Sequence, residues 1–364
     1  MAKIDKVFNQ FLKPINKEID RKTKNTNIEY KYSKRYNFNN HIKSMLFLQL
    51  SGGVSLRDFD AKYNKHLKLK DEFDVPTYSQ LSRLNASKSV ENFKDIFNYI
   101  LGVAQKEIKS SFNLKQFKDI KAIDSSIITI GEGLAPDLLF DNKSSAVRLS
   151  TLYSCGKELP DKINIVHAKV GERNCIEGYA YDSNAIYTFD KGYNKYSWYD
   201  EMSSNNIKFI TRLPSNTLIE QYSCRYTGID NLYDLTVTLG ADYSKNKTKH
   251  KYREIESFDA VTGEEFRLLT NINDMSAQDI LSLYKKRWEI ELFFKWIKQH
   301  LTTKNWLGNS INAISIQIYS ALIVYILLLI LKNRLKITYS KYNILRKLKV
   351  YLLEKFAIEE ILLL

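Results

Sequence analysis

Tyr284-Lys-Lys-Arg287-Trp288-Glu-Ile-Glu291-Leu-Phe-Phe-Lys-Trp-Ile-Lys298 is the stretch from which the rest of the chain can be read. Its polar residues Tyr284, Arg287, Glu291 and Lys298 are spaced by three, four and seven positions. On an α-helix, at about 100° per residue, they point at roughly 0°, 300°, 340° and 320° and share a stripe about 60° wide. Leu283, Ile290, Phe293, Phe294 and Ile297 flank that stripe on both sides. An acid is thereby set among two cations and a phenol. A solvated helix with ion pairs three and four residues apart is the plain alternative. Apolar flanks on both sides fit a polar seam in a buried helix better. Such a seam suits a carboxylate that holds a metal while its neighbours hold phosphates.

The spacing Tyr-(2)-Arg-(3)-Glu-(6)-Lys, with Trp288, Phe294 and Lys295 between, resembles the YREK signature of bacterial insertion-sequence transposases, the insertion sequence four family of DDE enzymes. The resemblance implies that Glu291 is the last member of an Asp-Asp-Glu metal triad. It also implies two upstream Asp residues, each at the end of a buried strand. Residues 117–123 alternate towards an apolar end and run into Asp124-Ser125-Ser126, followed by Ile127-Ile-Thr-Ile130, which reads as a strand carrying Asp124. Residues 185–189, Ala-Ile-Tyr-Thr-Phe, form a short apolar strand that ends at Asp190-Lys191-Gly192. Either Asp alone would pass for a turn or cap residue; in the order Asp124, Asp190, Glu291 they match the family layout. The family usually has Arg after the second Asp, so Lys191 departs from the pattern while keeping the charge. Asp182 is the rival second ligand, but Tyr181-Asp-Ser-Asn184 reads as a polar loop.

Three carboxylates suit phosphodiester chemistry. Charge develops on both the attacking and the leaving oxygen, and two divalent ions about 4 Å apart stabilise both. Mg²⁺, for which Mn²⁺ can substitute, prefers oxygen ligands. The five His are scattered, no His-Glu-x-x-His pattern occurs, and no Walker-type loop implies ATP.

Composition points to a nucleic-acid partner. The chain carries 55 Lys and Arg against 41 Asp and Glu, for a net charge of +14. The excess is uneven: residues 1–70 hold 16 Lys and Arg against 6 Asp and Glu, and residues 332–364 hold 8 against 3. The middle is near neutral, as a folded core with an acidic site would be. Cys155, Cys175 and Cys224 lack metal-ligand spacing, so a reducing bacterial cytoplasm is the simplest setting. The Lys-rich first thirty residues lack the apolar run of a signal peptide. Residues 318–331 form a largely apolar run, short of the roughly 20 needed to span a bilayer, and read as a buried core helix rather than a membrane segment.

The expected fold class is α/β: a ribonuclease H-like catalytic domain with a β-rich insertion, plus a helical N-terminal DNA-binding domain. Residues 41–50 read as a helix ended by Gly52-Gly53. Ser55 caps a second helix, and residues 77–84 form a third with Ser79, Gln80 and Arg83 outward. That order resembles a helix-turn-helix reader in which Arg83 touches DNA. The segments are then 1–88 (helical, DNA-binding), 89–114 (helical linker), 115–213 (catalytic, first part), 214–275 (β-rich insertion), 276–335 (catalytic, second part) and 336–364 (basic helical tail). Paired strands over 146–154 and 162–169, the strand before Asp190, a helix over 196–204 and a strand over 207–211 give the ribonuclease H-like order.

By resemblance the activity is transposition: a Mg²⁺-dependent polynucleotidyl transferase and endonuclease that cuts double-stranded DNA at the terminal inverted repeats of an element. It joins the ends to target DNA, by cut-and-paste through a hairpin and as a homodimer in the synaptic complex. Tyr284, Arg287 and Lys298 are then phosphate contacts, Lys191 a further DNA contact, and Trp288 a residue that stacks on an unpaired base or packs in the core. The alternatives are a metal-dependent nuclease of the same fold without strand transfer, and a non-catalytic DNA-binding protein derived from a transposase.

Overall fold

A computed structural model describes all residues except 1–3, 32–35, 53–54, 113, 115, 133, 142–143, 177, 241–245, 259–264, 301–305 and 364. The expected turn residue Gly53 therefore lies outside the described residues. The chain divides into two compact units: residues 1–108, 128–147 and 294–364 form one, and residues 109–127 and 148–293 the other.

The first unit is helical. Its helices are α1 (Val7–Asn25), α2 (Phe38–Ser51), α3 (Leu56–Tyr63), α4 (Leu67–Lys70), α5 (Tyr78–Ser87) and α6 (Glu91–Glu107), then α10 (Ile311–Arg334), α11 (Lys341–Tyr351) and α12 (Ile358–Leu363). Local signals set most of the ends. Ser55 accepts the Asp58 amide at the start of α3, and Gly52 closes α2 in the left-handed region at φ 67°. Thr77 and Gln80 form a reciprocal capping box on α5. Gln80 is thereby committed to its own backbone, which removes it from the outward-facing set expected on this helix; Ser79 and Arg83 are exposed.

α10 is the hub, packed by α2, α5, α6 and α11. It is longer than the apolar run that announced it. By length and composition it could cross a membrane, yet it is buried along nearly its whole length. A helix surrounded by helices is apolar all round, which is why it lacks an amphipathic pattern. The expected linker helix α6 is part of this core: Phe93, Ile96, Phe97 and Ile100 are buried, and Arg334 of α10 pairs with Glu107 at its end.

The second unit is built on a nine-stranded sheet with the order β3-β2-β1-β4-β5-β9-β8-β7-β6, although residues 128–132 of β1 and 144–147 of β2 are counted with the first unit. The strands are β1 (Asp119–Glu132), β2 (Ser144–Ser154), β3 (Leu159–His167), β4 (Ala185–Phe189), β5 (Lys208–Arg212), β6 (Ile219–Arg225), β7 (Leu232–Leu239), β8 (Tyr252–Phe258) and β9 (Glu265–Thr270). β1, β4 and β5 pair in parallel, and β5, β9, β8, β7 and β6 pair antiparallel. All five residues of β4 are buried, as a central parallel strand requires. Between β4 and β5 runs α7 (Tyr196–Ser204), which lays Trp198 on Phe189 at 4.6 Å and Tyr199 on Phe209 at 5.2 Å. The β-rich segment 214–275 forms β6–β9 and extends this same sheet. α8 (Ala277–Lys285) follows it, then α9 (Trp288–His300).

Candidate active site

Asp124 and Asp190 stand at matching places on neighbouring strands. β1 and β4 run in parallel with Ile123 opposite Phe189, and each Asp is the next residue. Ile123 and Phe189 point into the aromatic core, so strand alternation turns both Asp side chains to the other face. The carboxyl ends of parallel strands are where α/β sheets place their chemistry. Asp190 opens the short helical turn Lys191–Tyr193, but its side chain makes no capping hydrogen bond. The plain role of a cap is therefore not the one it fills. Asp182, its rival, is exposed and accepts the Asn184 amide at 2.9 Å as an ordinary turn residue.

Two local expectations change. Asp124 does not end its strand; β1 runs on to Glu132, and only the parallel pairing with β4 stops at Ile123. The helix carrying the signature is not continuous either. α8 stops at Lys285 and α9 starts at Trp288. Between them the amides of Lys286 and Arg287 bond three residues back, to Leu283 (3.1 Å) and Tyr284 (2.9 Å). This tight turn breaks the single stripe of four side chains.

The break leaves Arg287 between the acids. Its Nη1 donates to Asp124 Oδ2 at 3.2 Å and its Nη2 to Glu291 Oε1 at 2.8 Å. One guanidinium thus joins carboxylates 167 positions apart in the chain. The Arg287 Nε is buried without a hydrogen-bond partner. Tyr284 is buried with its ring 5.7 Å from that guanidinium. Burial pushes its phenol up to about 12, with the Asp190 charge adding to the effect and Arg287 opposing it. The same neighbourhood therefore holds Asp190, Tyr284, Arg287, Asp124 and Glu291. Among the described residues, no three His, Cys, Asp or Glu side chains form a ready-made metal cluster. What fits a divalent ion is the all-oxygen donor set and the cation already shared by Asp124 and Glu291.

A second network, which sequence reasoning missed, lies directly behind Asp124. Arg148 on β2 donates from Nη1 to Ser125 Oγ at 2.8 Å and to Glu172 Oε1 at 2.9 Å; Ser125 Oγ donates to the same Glu172 oxygen at 3.0 Å. Arg148 Nη2 reaches the Ala168 carbonyl at 3.2 Å. Burial, with the Asp124 and Glu172 charges, pushes the nearby Tyr193 phenol up. Glu172 opens a short helical turn, Glu172–Ile176, with no motif around it that could have announced it.

The remaining expected residues divide. Trp288 is 59% exposed, so core packing is not its role. Lys191 and Arg83 are exposed. Arg83 Nε makes a 3.3 Å bond to the Ser79 carbonyl on its own helix, α5. Lys298, two turns beyond Glu291 on α9, is counted with the helical unit, and burial holds its ammonium below the usual lysine range.

Asp124 itself carries a cost. Burial raises its carboxyl to about 6; Glu172 and Glu291 add to the rise, while the Ser125 amide and Arg287 oppose it. A folded value above the unfolded one favours the protonated protein, and that advantage is lost as pH rises through about 6. In metal-free protein, Asp124→Asn should therefore be more stable than wild type by about 2–3 kcal/mol at pH 7.5. The gain should shrink to nothing below about pH 4. Thermal melting of both proteins across this range checks it; a gain that does not depend on pH would place its origin elsewhere.

Residues 115–327 match the family described as Transposase DDE domain, and residues 4–69 match a domain of unknown function, DUF4372. A Sinorhizobium fredii (strain NGR234) sequence named as a transposase, y4zB, is 30% identical over 72% of this chain and 74% of its own length. A Geobacillus stearothermophilus sequence named as the transposase of insertion sequence element IS5377 is 24% identical over 69% of this chain and 66% of its own. A Synechocystis sequence named as the transposase of element IS4SA is 26% identical over 80% of this chain and 82% of its own.

Proposed function

This chain belongs to the DDE transposase family, and from that premise we propose that Asp124, Asp190 and Glu291 hold two Mg²⁺ ions for cutting an insertion element from DNA and joining it to a target. Transposases bind DNA, and domains of this family generally use divalent metals. The observation that carries the reading is the Arg287 bridge: Asp124 and Glu291, distant in sequence, already share one cation beside the strand end that bears Asp190. Ions bound there would stabilise charge on both the attacking and the leaving oxygen of the phosphodiester. The catalytic core would be ribonuclease H-like, with β1, β4 and β5 as its parallel centre.

The chain's own cations then have separate work. Tyr284, Arg287 and Lys298 hold phosphates at the element end. Lys191 contacts the backbone beside Asp190. Trp288, exposed on α9, stacks on an unpaired base of a hairpin intermediate. Arg83 on α5 reads element-end DNA, and two copies of the chain pair the two ends.

A joining reaction tests this. Duplex DNA carrying the element's terminal inverted repeat, supplied with Mg²⁺ and a target plasmid, should give covalently joined product. Cleavage without joining would favour a nuclease of the same fold, and binding without cleavage a non-catalytic derivative. In the same assay Lys298→Ala should slow end processing and joining by about tenfold or more, with the first nick and the Mg²⁺ requirement little changed. A shifted Mg²⁺ requirement would make Lys298 an electrostatic partner of the acids instead. Arg83→Ala should weaken binding to the inverted repeat more than to unrelated DNA; equal loss would reduce it to a backbone contact.

A further inference from the structure

Glu172 touches the chain just after each aspartate. Its Oε1 accepts from Ser125, the residue after Asp124, and from Arg148. Its Oε2 lies against Gly192, two residues after Asp190: a Cβ at Gly192 would fall 2.3 Å from that oxygen. The backbone at Gly192 does not have the positive φ that would itself favour glycine, so the requirement there is for space. Arg148 has only 11% of its side chain exposed and is anchored to the Ala168 carbonyl, so it grips Glu172, whose own side chain is 34% exposed, from the buried side. None of these groups has a part in the phosphate contacts proposed above.

We propose that Glu172 is a positioning residue that sets the spacing of Asp124 and Asp190, through Ser125 on one side and Gly192 on the other. Beyond Ile123 and Phe189, where the backbone pairing of these two strands stops, Glu172 spans the two chains beside the Tyr193 phenol, which also lies close to Ser125. Groups that orient ligands from behind typically change metal affinity by about 10–100-fold when removed. The inference rests on the two aspartates being ligands. It adds that Glu172 serves them without binding the ion, because its Oε1 is already engaged by a guanidinium and a hydroxyl.

Mn²⁺ titration by calorimetry on the full chain, without DNA, separates the outcomes. Glu172→Ala and Gly192→Ala should each weaken Mn²⁺ binding about tenfold or more. Gly192→Ala keeps every charge and displaces only the carboxylate, so it carries the test should Glu172→Ala fail to fold. Glu172→Gln should stay close to wild type, since its amide oxygen still accepts from Ser125 and Arg148. Loss of Mn²⁺ binding in Glu172→Gln equal to that in Glu172→Ala would overturn the inference and make Glu172 a direct ligand. Unchanged binding in Glu172→Ala and Gly192→Ala, beside an Asp124→Asn control that has lost it, would overturn it while sparing the ligand assignment. Should Asp124→Asn also keep its Mn²⁺, the assignment and the inference fall together.

Discussion

Asp124→Asn, Asp190→Asn and Glu291→Gln should each lower cleavage of element-end DNA by at least about a thousandfold, equivalent to about 4 kcal/mol of transition-state stabilisation. Binding to the same DNA should be nearly unchanged. The two effects separate because they have different sources. DNA affinity comes mainly from Lys and Arg that displace counterions from phosphates, and the excess of these is concentrated in residues 1–70. Cleavage depends on carboxylates that fix the ions where charge develops. Asn and Gln keep size and hydrogen bonding but remove the charge, so a folding defect is a poor explanation for loss of activity. Melting temperature and gel-shift affinity, measured beside the cleavage rate, complete the test. A variant that still cleaves at more than a few per cent of the wild-type rate excludes that residue from the ligand set. Of the three, Asp190 is the most exposed to this outcome, since only neighbourhood ties it to the other two, whereas Asp124 and Glu291 share Arg287 directly.

Asp234→Ala should destabilise the sheet unit by about 3–5 kcal/mol. Asp234 on β7 and Arg253 on β8 are diagonal neighbours across the ladder and nearly fully buried. The pair is bidentate, Nε to Oδ1 at 3.1 Å and Nη2 to Oδ2 at 2.6 Å. The remaining guanidinium nitrogen, Nη1, is spent on the carbonyls of Ile272 (2.6 Å) and Met275 (2.9 Å) just before α8. Removing the acid strands a buried cation that cannot lose its proton, and the cost of an unpaired buried charge exceeds that of losing a hydrogen bond. The exposed Lys62–Asp58 pair, at 3.1 Å on α3, is the comparison: Asp58→Ala should cost less than about 1 kcal/mol from that pair. Thermal and urea unfolding of the two variants should differ accordingly. Equal, small effects would mean that the sheet relaxes to hydrate Arg253. Because Arg253 holds the chain leading to α8, Asp234→Ala should also loosen the turn that carries Arg287, seen as faster amide exchange at Lys286 and Arg287.

What could be read locally was read from groups a few residues apart. The Ser55 cap, the helix of residues 196–204 and the short strand ending at Asp190 all rest on hydrogen bonds or periodicities confined to one turn or one strand. The two aspartates and Glu291 are nominated by their resemblance to the family's layout, since the local pattern alone leaves either Asp a turn or cap residue. The tertiary structure alone decided the rest. Helical periodicity at residues 284–298 is compatible with one unbroken helix; the tight turn at Lys286 and Arg287 places the guanidinium on Asp124, a partner 163 positions away. The family layout puts Asp124 at a strand end, but its neighbours in the sheet carry β1 on to Glu132. The apolar run 318–331 reveals burial without saying by what, and the surrounding helices come from both ends of the chain. Glu172 left no mark in the sequence at all: its role is a contact with Ser125 and a gap at Gly192, and such contacts are specified by how strands lie side by side, not by the order of residues along any one of them.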